Sequence, residues 1–173
     1  MPTRWRHKRL EKLTQPQYAL RRDLSDEAAV DAAGLKVLVD QFVADRLALS
    51  DSLRQAAEVL TAHANPLVRR SGISRVYYAA YHAARATVFL VHQRDEDRHE
   101  VLPVEIDKLL GEGTGEPLKE LKRLRNEFDY SPYPGPNAEA RYDEAEVDAV
   151  INAAVGQALA FIERLAGFRA ARG

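Results

Sequence analysis

The chain has 173 residues, of which 29% are charged and 46% hydrophobic, and it contains no cysteine. This length can bury the core of one domain, and the absence of cysteine excludes disulfides, thiolate metal ligands and thiol nucleophiles. The formal net charge of −1 conceals a segregation, because residues 1–22 carry +6 and residues 59–94 contain five arginines and no acid. The pattern shows neither a signal peptide nor a run of about 20 apolar residues. We therefore expect a cytoplasmic protein with no membrane span.

The first half of the chain predicts a basic arm followed by a long helix. Residues 1–22 form the arm, and Ser25-Asp26-Glu27 supplies an N-cap with acidic residues in the first turn. Apolar residues then recur at spacings of three and four from Leu35 to Leu60. A break near Gly34 or around Ser50-Asp51-Ser52 is left open, because the second of these has side chains suited to cap a new helix.

A second helix is predicted from about Val68 to Val91, and it carries two stripes. With roughly 24 residues it is about 36 Å long, so we expect it to be central and covered on both sides. The apolar stripe consists of Ile73, Val76, Tyr77, Ala80, Ala84, Val88 and Val91, and the mixed stripe of Arg75, Tyr78, His82, Arg85, Phe89 and His92.

The remaining segments complete a helical bundle. Residues 92–100 predict a solvated loop, since arginines interrupt their acids and histidines. A short helix around Pro103–Leu110 and a loop at Gly111–Gly115 follow. The next helix runs from Pro117 to about Phe128, and its predicted inward residues are Leu118, Leu121, Leu124 and Phe128. A proline-rich break precedes a last helix from about Ala138 to Ala166. Its predicted apolar stripe consists of Val147, Ile151, Ala154, Val155, Ala158, Ile162 and Leu165. The fold prediction is an all-α, up-and-down helical bundle of four main helices plus short extra helices.

Two motifs are more specific than this periodicity. Ser74-Arg75-Val76-Tyr77-Tyr78-Ala79-Ala80-Tyr81-His82-Ala83-Ala84-Arg85-Ala86 resembles the helix pattern of HEPN domains (higher eukaryotes and prokaryotes nucleotide-binding). The family's second signature is an Arg, often followed by Asn, with a His several residues on. Leu124-Arg125-Asn126-Glu127-Phe128-Asp129-Tyr130 resembles it, with Tyr130 at the position of that His. The resemblance divides the chain into a basic N-terminal arm and helical extension (1–44), a HEPN-like helical bundle (45–166) and a C-terminal tail (167–173).

The resemblance implies a homodimer in which two Arg-Asn elements face each other across a cleft. Active family members look like metal-independent endoribonucleases of toxin or defence type, and others are partners of minimal nucleotidyltransferases, which act as the antitoxin. The implied function is therefore binding of RNA or nucleotide phosphate in a toxin–antitoxin or defence system, with ribonuclease activity left open. The alternative is a non-catalytic helical interaction module that partners a minimal nucleotidyltransferase. Neither function calls for a metal or another cofactor.

The candidate catalytic residues follow from the chemistry of metal-independent RNA cleavage, in which the 2′-hydroxyl is the nucleophile. Arg125 is suited to bind the phosphate, Asn126 to position it, and Tyr130 to donate a proton in place of the usual His. Tyr130 is a poor base, because ionising a phenol at pH 7 costs roughly 4 kcal/mol. The candidate phosphate- and RNA-binding residues are Arg75, His82, Arg85 and Lys122.

Each of these residues also has a structural alternative. Arg125 is suited to an ion pair with Asp129, one helical turn further on, or with Glu127. His82 is suited to a packed, hydrogen-bonded place in the core, although its ordinary pKa near 6.5 also suits proton transfer. The two arginines of the mixed stripe are suited to pairs between helices or across a dimer.

Tyr133, in the proline-rich segment, is a candidate modification site. The resemblance implies it, because the nucleotidyltransferase antitoxin of such pairs can attach AMP to a Tyr just beyond the second motif. The alternative is that Tyr130 and Tyr133 pack at the helix end and the dimer interface.

Overall fold

The computed structural model describes residues 32–131, 135 and 142–172. These residues form five α-helices and no strand, so the all-α prediction is confirmed. The basic arm at 1–22, the N-cap predicted at Ser25 and the candidate modification site Tyr133 lie outside the described residues. The helices are α1 (Ala32–Thr61), α2 (Pro66–His92), α3 (Leu102–Leu110), α4 (Glu116–Tyr130) and α5 (Glu144–Ala170).

Helices α1 and α2 are antiparallel neighbours, and Asn65 caps the start of α2. At one end of the pair Phe42 packs on Phe89 with ring centroids 4.1 Å apart. Further along, the buried Ser50 hydroxyl donates a hydrogen bond of 2.7 Å to the carbonyl of Ala79. Neither of the breaks left open by the sequence occurs, because Ser50 connects the two helices instead of capping a new one. The expected boundary at residue 45 therefore falls within a continuous helix.

Helices α4 and α5 complete the bundle against α2. Arg70, near the start of α2, donates hydrogen bonds to carbonyl oxygens at the C-terminal end of α4, so these helices are antiparallel. Arg69, also near the start of α2, pairs with Asp148 in the second turn of α5 at 2.8 Å. Near the other ends, Arg169 donates a hydrogen bond of 2.6 Å to the Thr87 hydroxyl, so α5 is parallel to α2. The directions of the four long helices confirm the up-and-down bundle with α2 at its centre.

The main core surrounds α2, and each large apolar side chain buried there stabilises the fold by about 1.5–3 kcal/mol. The predicted inward face of α4 is confirmed, because Leu118, Leu121, Leu124 and Phe128 are all buried. The predicted face of α5 is confirmed for the buried residues Val147, Ile151, Ala154, Ala158 and Leu165, while Val155 and Ile162 lie at the margin of the core. Phe161 is buried as well, although the predicted stripe did not include it.

The second stripe of α2 is covered in its C-terminal half by α1. Arg85 and Phe89 are buried there, and a smaller apolar cluster forms around Phe89. The N-terminal half of this stripe faces α4 instead, through Tyr78 and Arg125. The expectation that α2 is covered on both sides is therefore confirmed. The smaller cluster consists of Leu38, Val39, Phe42, Val43, Ala86 and Phe89.

Helix α5 begins six residues after the predicted start and extends into the expected tail. Asp143 accepts a hydrogen bond from the Glu146 N–H, and the Glu146 carboxylate accepts one from the Asp143 N–H. This reciprocal capping fixes the first turn. Among the described residues, α5 is the one helix that is long and apolar enough to cross a membrane by length and composition. In the bundle its buried face packs in the main core.

Candidate functional site

The tyrosines of the first motif meet His99, which lies in the loop after α2. The Tyr77 hydroxyl is hydrogen-bonded to Nδ1 of His99. The His99 ring stacks on Tyr81, with centroids 4.6 Å apart and ring planes 23° from parallel. The Tyr81 hydroxyl donates a hydrogen bond of 2.7 Å to the carbonyl of Asp97, which fixes the loop on the helix. Two tyrosines one turn apart therefore hold a single imidazole in place.

Arg125 connects α4 to these rings. Its Nη2 donates to the hydroxyl oxygens of Tyr78 at 3.2 Å and of Tyr130 at 3.1 Å. The guanidinium carbon lies 5.5 Å and 5.2 Å from the centroids of the same two rings, within the range of a cation–π contact. Nη1 donates to the side-chain oxygen of Asn126 at 2.8 Å. We call the group formed at this point the Tyr–His–Arg cluster, and its members are Tyr77, Tyr78, Tyr81, His99 and Arg125.

Arg125 retains donor capacity beyond these three hydrogen bonds, because a guanidinium has five N–H donors. Its Nε lies 3.2 Å from the Asp129 carboxylate, so the predicted ion pair forms, but the N–H is not aligned for a hydrogen bond. The other predicted partner, Glu127, pairs with Arg123 at 2.8 Å instead. The Arg125 side chain is 20% exposed. The guanidinium is therefore partly accessible to solvent. Among the described residues, its two terminal nitrogens are hydrogen-bonded only to neutral oxygens.

Lys122 adds a second cation beside the cluster. It lies one helical turn before Arg125 on α4 and pairs with Glu100, the residue after His99. Burial lowers the pKa of His99, and the charges of Lys122 and Arg125 lower it further, while Glu100 opposes them. Burial raises the pKa of Tyr77. At neutral pH the cluster therefore contains a neutral imidazole bonded to a protonated phenol.

His82 and Arg85 lie outside this cluster, in a buried charge network beneath α1. Asp95 accepts a hydrogen bond of 2.9 Å from Arg85 Nε and a shorter one from its Nη2. The same carboxylate accepts from Arg46 at 3.2 Å, and Arg46 Nη1 lies 3.3 Å from Nδ1 of His82. Burial lowers the pKa of His82 to about 4, and both arginines contribute. His82 and Arg85, both predicted to bind phosphate, therefore have partners inside the bundle, which agrees with the structural alternative for each.

The expectation of a solvated loop at residues 92–100 is wrong for its two central acids, although His92, Asp97, Arg98 and Glu100 are exposed. Asp95 and Glu96 are only 5% and 3% exposed. Gln93, with a left-handed φ of 51°, ends α2 and turns the chain back along the helix. Acidic side chains of the loop form ion pairs with nearby cations; for example, Arg98 pairs with Glu96 at 2.7 Å. Among the described residues, no group of three or more His, Asp or Glu side chains is placed to hold a metal ion.

The remaining candidates are more exposed. Arg75 and Asn126 lie at the surface, and Tyr130 is 71% exposed. The basic stretch at residues 59–94 is largely neutralised, because three of its five arginines pair with carboxylates from other parts of the chain. A continuous basic face along α2 therefore does not form, and the accessible positive charge beside the tyrosines comes from α4.

Sequence reasoning missed His99 as a functional residue. It lies within the polar run after α2, where nothing in the local pattern distinguishes it from His92. The turn at Gln93 and the hydrogen bond from Tyr81 bring it 22 residues back to Tyr77. No sequence signal within the loop predicts this contact, because the residues that hold the loop and His99 in place, Tyr81 and Tyr77, belong to α2.

No family model matches the chain, and no curated protein matches it either. The resemblance to HEPN domains therefore stays a prediction that depends on the two motifs. The structure adds that these motifs are in direct contact, through the hydrogen bond between Arg125 and Tyr78.

Proposed function

We propose that the chain is a HEPN-type helical-bundle protein of a toxin–antitoxin or defence system, and that it binds the phosphate groups of RNA at Arg125. The observation that carries this proposal is the placement of Arg125 between two tyrosine rings, with its terminal nitrogens hydrogen-bonded only to neutral oxygens. The guanidinium keeps one unused terminal N–H for an anion, and its charge has a single carboxylate partner, the Asp129 side chain 3.2 Å from Nε.

The surroundings of Arg125 favour a nucleic acid over a free anion. Tyr78 and Tyr130 flank the guanidinium, and the largely exposed ring of Tyr130 offers a surface on which an unpaired base can stack. Lys122, one turn away, adds a second positive charge for a neighbouring phosphate. In the homodimer that the resemblance implies, two such sites face one cleft and a single strand contacts both.

RNA binding is tested with Arg125→Ala and a matched control, Arg123→Ala. Both variants remove one arginine from α4, but the guanidinium of Arg123 is occupied by Glu120 and Glu127. Fluorescence anisotropy with labelled single-stranded RNA, in buffer containing a chelator, gives the dissociation constants. Hydrogen bonds to a charged group contribute about 1.5–3 kcal/mol, so Arg125→Ala is expected to weaken binding about 10- to 100-fold. Arg123→Ala is expected to stay within about twofold of the wild type.

Two results contradict the proposal. One is an absence of RNA binding by the wild-type protein, and the other is an equal loss of affinity in the two variants. The dependence of affinity on salt provides a further measurement, because each lost phosphate contact reduces the slope of log K against log salt by about one. Arg125→Ala should show that reduction and Arg123→Ala should not.

The alternative function keeps Arg125 in a structural role. Its bond to Tyr78 connects the end of α4 to α2, and the helical surface then serves as a partner for a minimal nucleotidyltransferase. In that case Arg125→Ala lowers the melting temperature while the wild-type protein leaves RNA unbound. Co-expression with a nucleotidyltransferase encoded next to this chain, followed by mass spectrometry for an AMP adduct on Tyr133, tests the alternative directly.

A further inference from the structure

We propose that His99 is the base that accepts the proton of an RNA 2′-hydroxyl, so that the chain cleaves the RNA bound at Arg125 without a metal ion. This inference rests on the proposed RNA binding, and it adds a residue that neither motif contains. It supplies the proton-accepting group whose place in the second motif is taken by Tyr130.

The geometry of His99 is that of a positioned imidazole with one free nitrogen. Nδ1 is hydrogen-bonded to Tyr77, and the ring is stacked on Tyr81 and meets Tyr78 edge-on at 6.5 Å. Nε2 makes no hydrogen bond within the described part of the chain, and it is not among the buried polar atoms that lack a partner. The ring is therefore held at one nitrogen and reaches solvent with the other.

The protonation states agree with this role. The role requires the tautomer in which Nδ1–H donates to the Tyr77 oxygen. The neutral ring then has its lone pair on Nε2, and the same hydrogen bond persists after Nε2 gains a proton. The groups that face His99 are Tyr77, Tyr78, Tyr81 and Arg85 from α2, Asp97 and Glu100 from the loop, and Lys122 and Arg125 from α4. The cations and the partial burial lower its pKa, so the ring is a neutral acceptor at pH 7.

The other candidates for the base do not have this access. His82 lies against Arg46 in the buried charge network beneath α1. Tyr130 is a phenol that accepts a hydrogen bond from Arg125, which leaves its own proton available for donation. In the proposed reaction His99 is therefore the proton acceptor and Tyr130 the proton donor.

The proposed step balances without a further reactant. The 2′-O–H bond breaks, its proton goes to Nε2 of His99, and its electron pair forms the bond from the 2′-oxygen to phosphorus. The bond from phosphorus to the 5′-oxygen breaks, and that oxygen takes the proton of the Tyr130 hydroxyl, while Arg125 binds the non-bridging oxygens. The products are a 2′,3′-cyclic phosphate and a 5′-hydroxyl end. The proton on His99 then returns to the Tyr130 phenolate through water.

Single-turnover cleavage of RNA in excess chelator tests this step, with His99→Gln as the variant and His92→Gln as the matched control at the exposed end of α2. General base catalysis contributes about 10²- to 10⁴-fold. We therefore expect His99→Gln to lower the cleavage rate at least about 100-fold while its RNA affinity stays within about threefold. His92→Gln should cleave as the wild type does. Mass spectrometry should find the cyclic phosphate, and DNA of the same sequence should remain intact because it lacks the 2′-hydroxyl.

The pH profile separates a proton-transfer role from a structural one. The wild-type rate should rise with pH up to the pKa of His99 and then level off, and the rising part should disappear in His99→Gln. Added imidazole should restore part of the activity of His99→Ala. If both variants fail to fold, the wild-type profile decides, since its inflection must coincide with the His99 pKa measured by NMR.

The outcomes distinguish the two proposals. RNA binding that depends on Arg125 but is followed by no cleavage overturns the role of His99 and leaves the proposed function intact. Wild-type cleavage by folded His99→Gln overturns it as well. The role of His99 is also overturned if His99→Gln loses RNA binding and cleavage equally and imidazole does not restore the activity of His99→Ala. An absence of RNA binding by the wild type overturns the proposed function itself.

Discussion

Burial of His82 makes the stability of this bundle depend on pH. The pKa of His82 is about 4 in the folded chain, against about 6.5 for an exposed histidine. Between these values the unfolded chain binds a proton that the folded chain does not, so falling pH favours unfolding. The contribution is fully present above pH 6.5 and is lost as the pH falls toward 4. At about 1.4 kcal/mol per pKa unit, the loss amounts to at most about 3 kcal/mol.

Urea unfolding followed by far-UV circular dichroism, at pH 7 and at about pH 4.5, measures this loss. His82→Gln removes the titration while keeping a polar side chain beside Arg46. The difference in unfolding free energy between the two pH values should therefore be smaller in His82→Gln than in the wild type by about 2–3 kcal/mol. The matched control is His63→Gln, which replaces an exposed histidine before α2.

The comparison with His63→Gln matters because carboxylates titrate over the same range in every variant. Equal pH dependence in the wild type and in His82→Gln would refute the reasoning. An NMR titration that finds the His82 ring protonating at pH 6.5 or above in the folded protein would refute it independently. Either result would mean that Arg46 and the surrounding helices do not exclude the charged imidazole.

Further predictions concern charge burial and close packing. Asp95→Asn removes the carboxylate shared by the buried Arg85 and the largely buried Arg46, and should lower the unfolding free energy by about 3–5 kcal/mol in a urea titration. Asp40→Asn, at an exposed pair, should change it by less than about 1 kcal/mol. Gly115→Ala places a Cβ 2.2 Å from the carbonyl oxygen of Pro103 and should cost about 1–3 kcal/mol, so a melting temperature at or above that of the wild type would contradict it. Gly156→Ala, in open space on α5, should raise the melting temperature, because alanine stabilises a helix by about 1 kcal/mol relative to glycine.

Much of the fold was predictable because its helices are amphipathic. The apolar residues of α4 recur at helical spacing, so their inward face is a local property of the chain. Helix ends were less predictable, since α5 begins where Asp143 and Glu146 cap each other, which the periodicity does not show. Phe161 was missed because Ile162, its neighbour, fits the stripe equally well, and only packing decides which of the two is buried.

The sequence alone determined the helices and placed Tyr78 and Arg125 in two specific motifs. It did not predict that Arg85 is buried against Asp95 while the Arg125 side chain stays partly exposed. The turn at Gln93 brings Asp95 against Arg85, and the same turn brings His99 against the tyrosines. Arg125 stays partly exposed, with neutral oxygens on its terminal nitrogens and Asp129 beside its Nε. Only the tertiary structure could decide these environments, because the burial and the charge partner of a side chain depend on the residues that the loop brings to it. The path of the loop depends in turn on its contacts with α2.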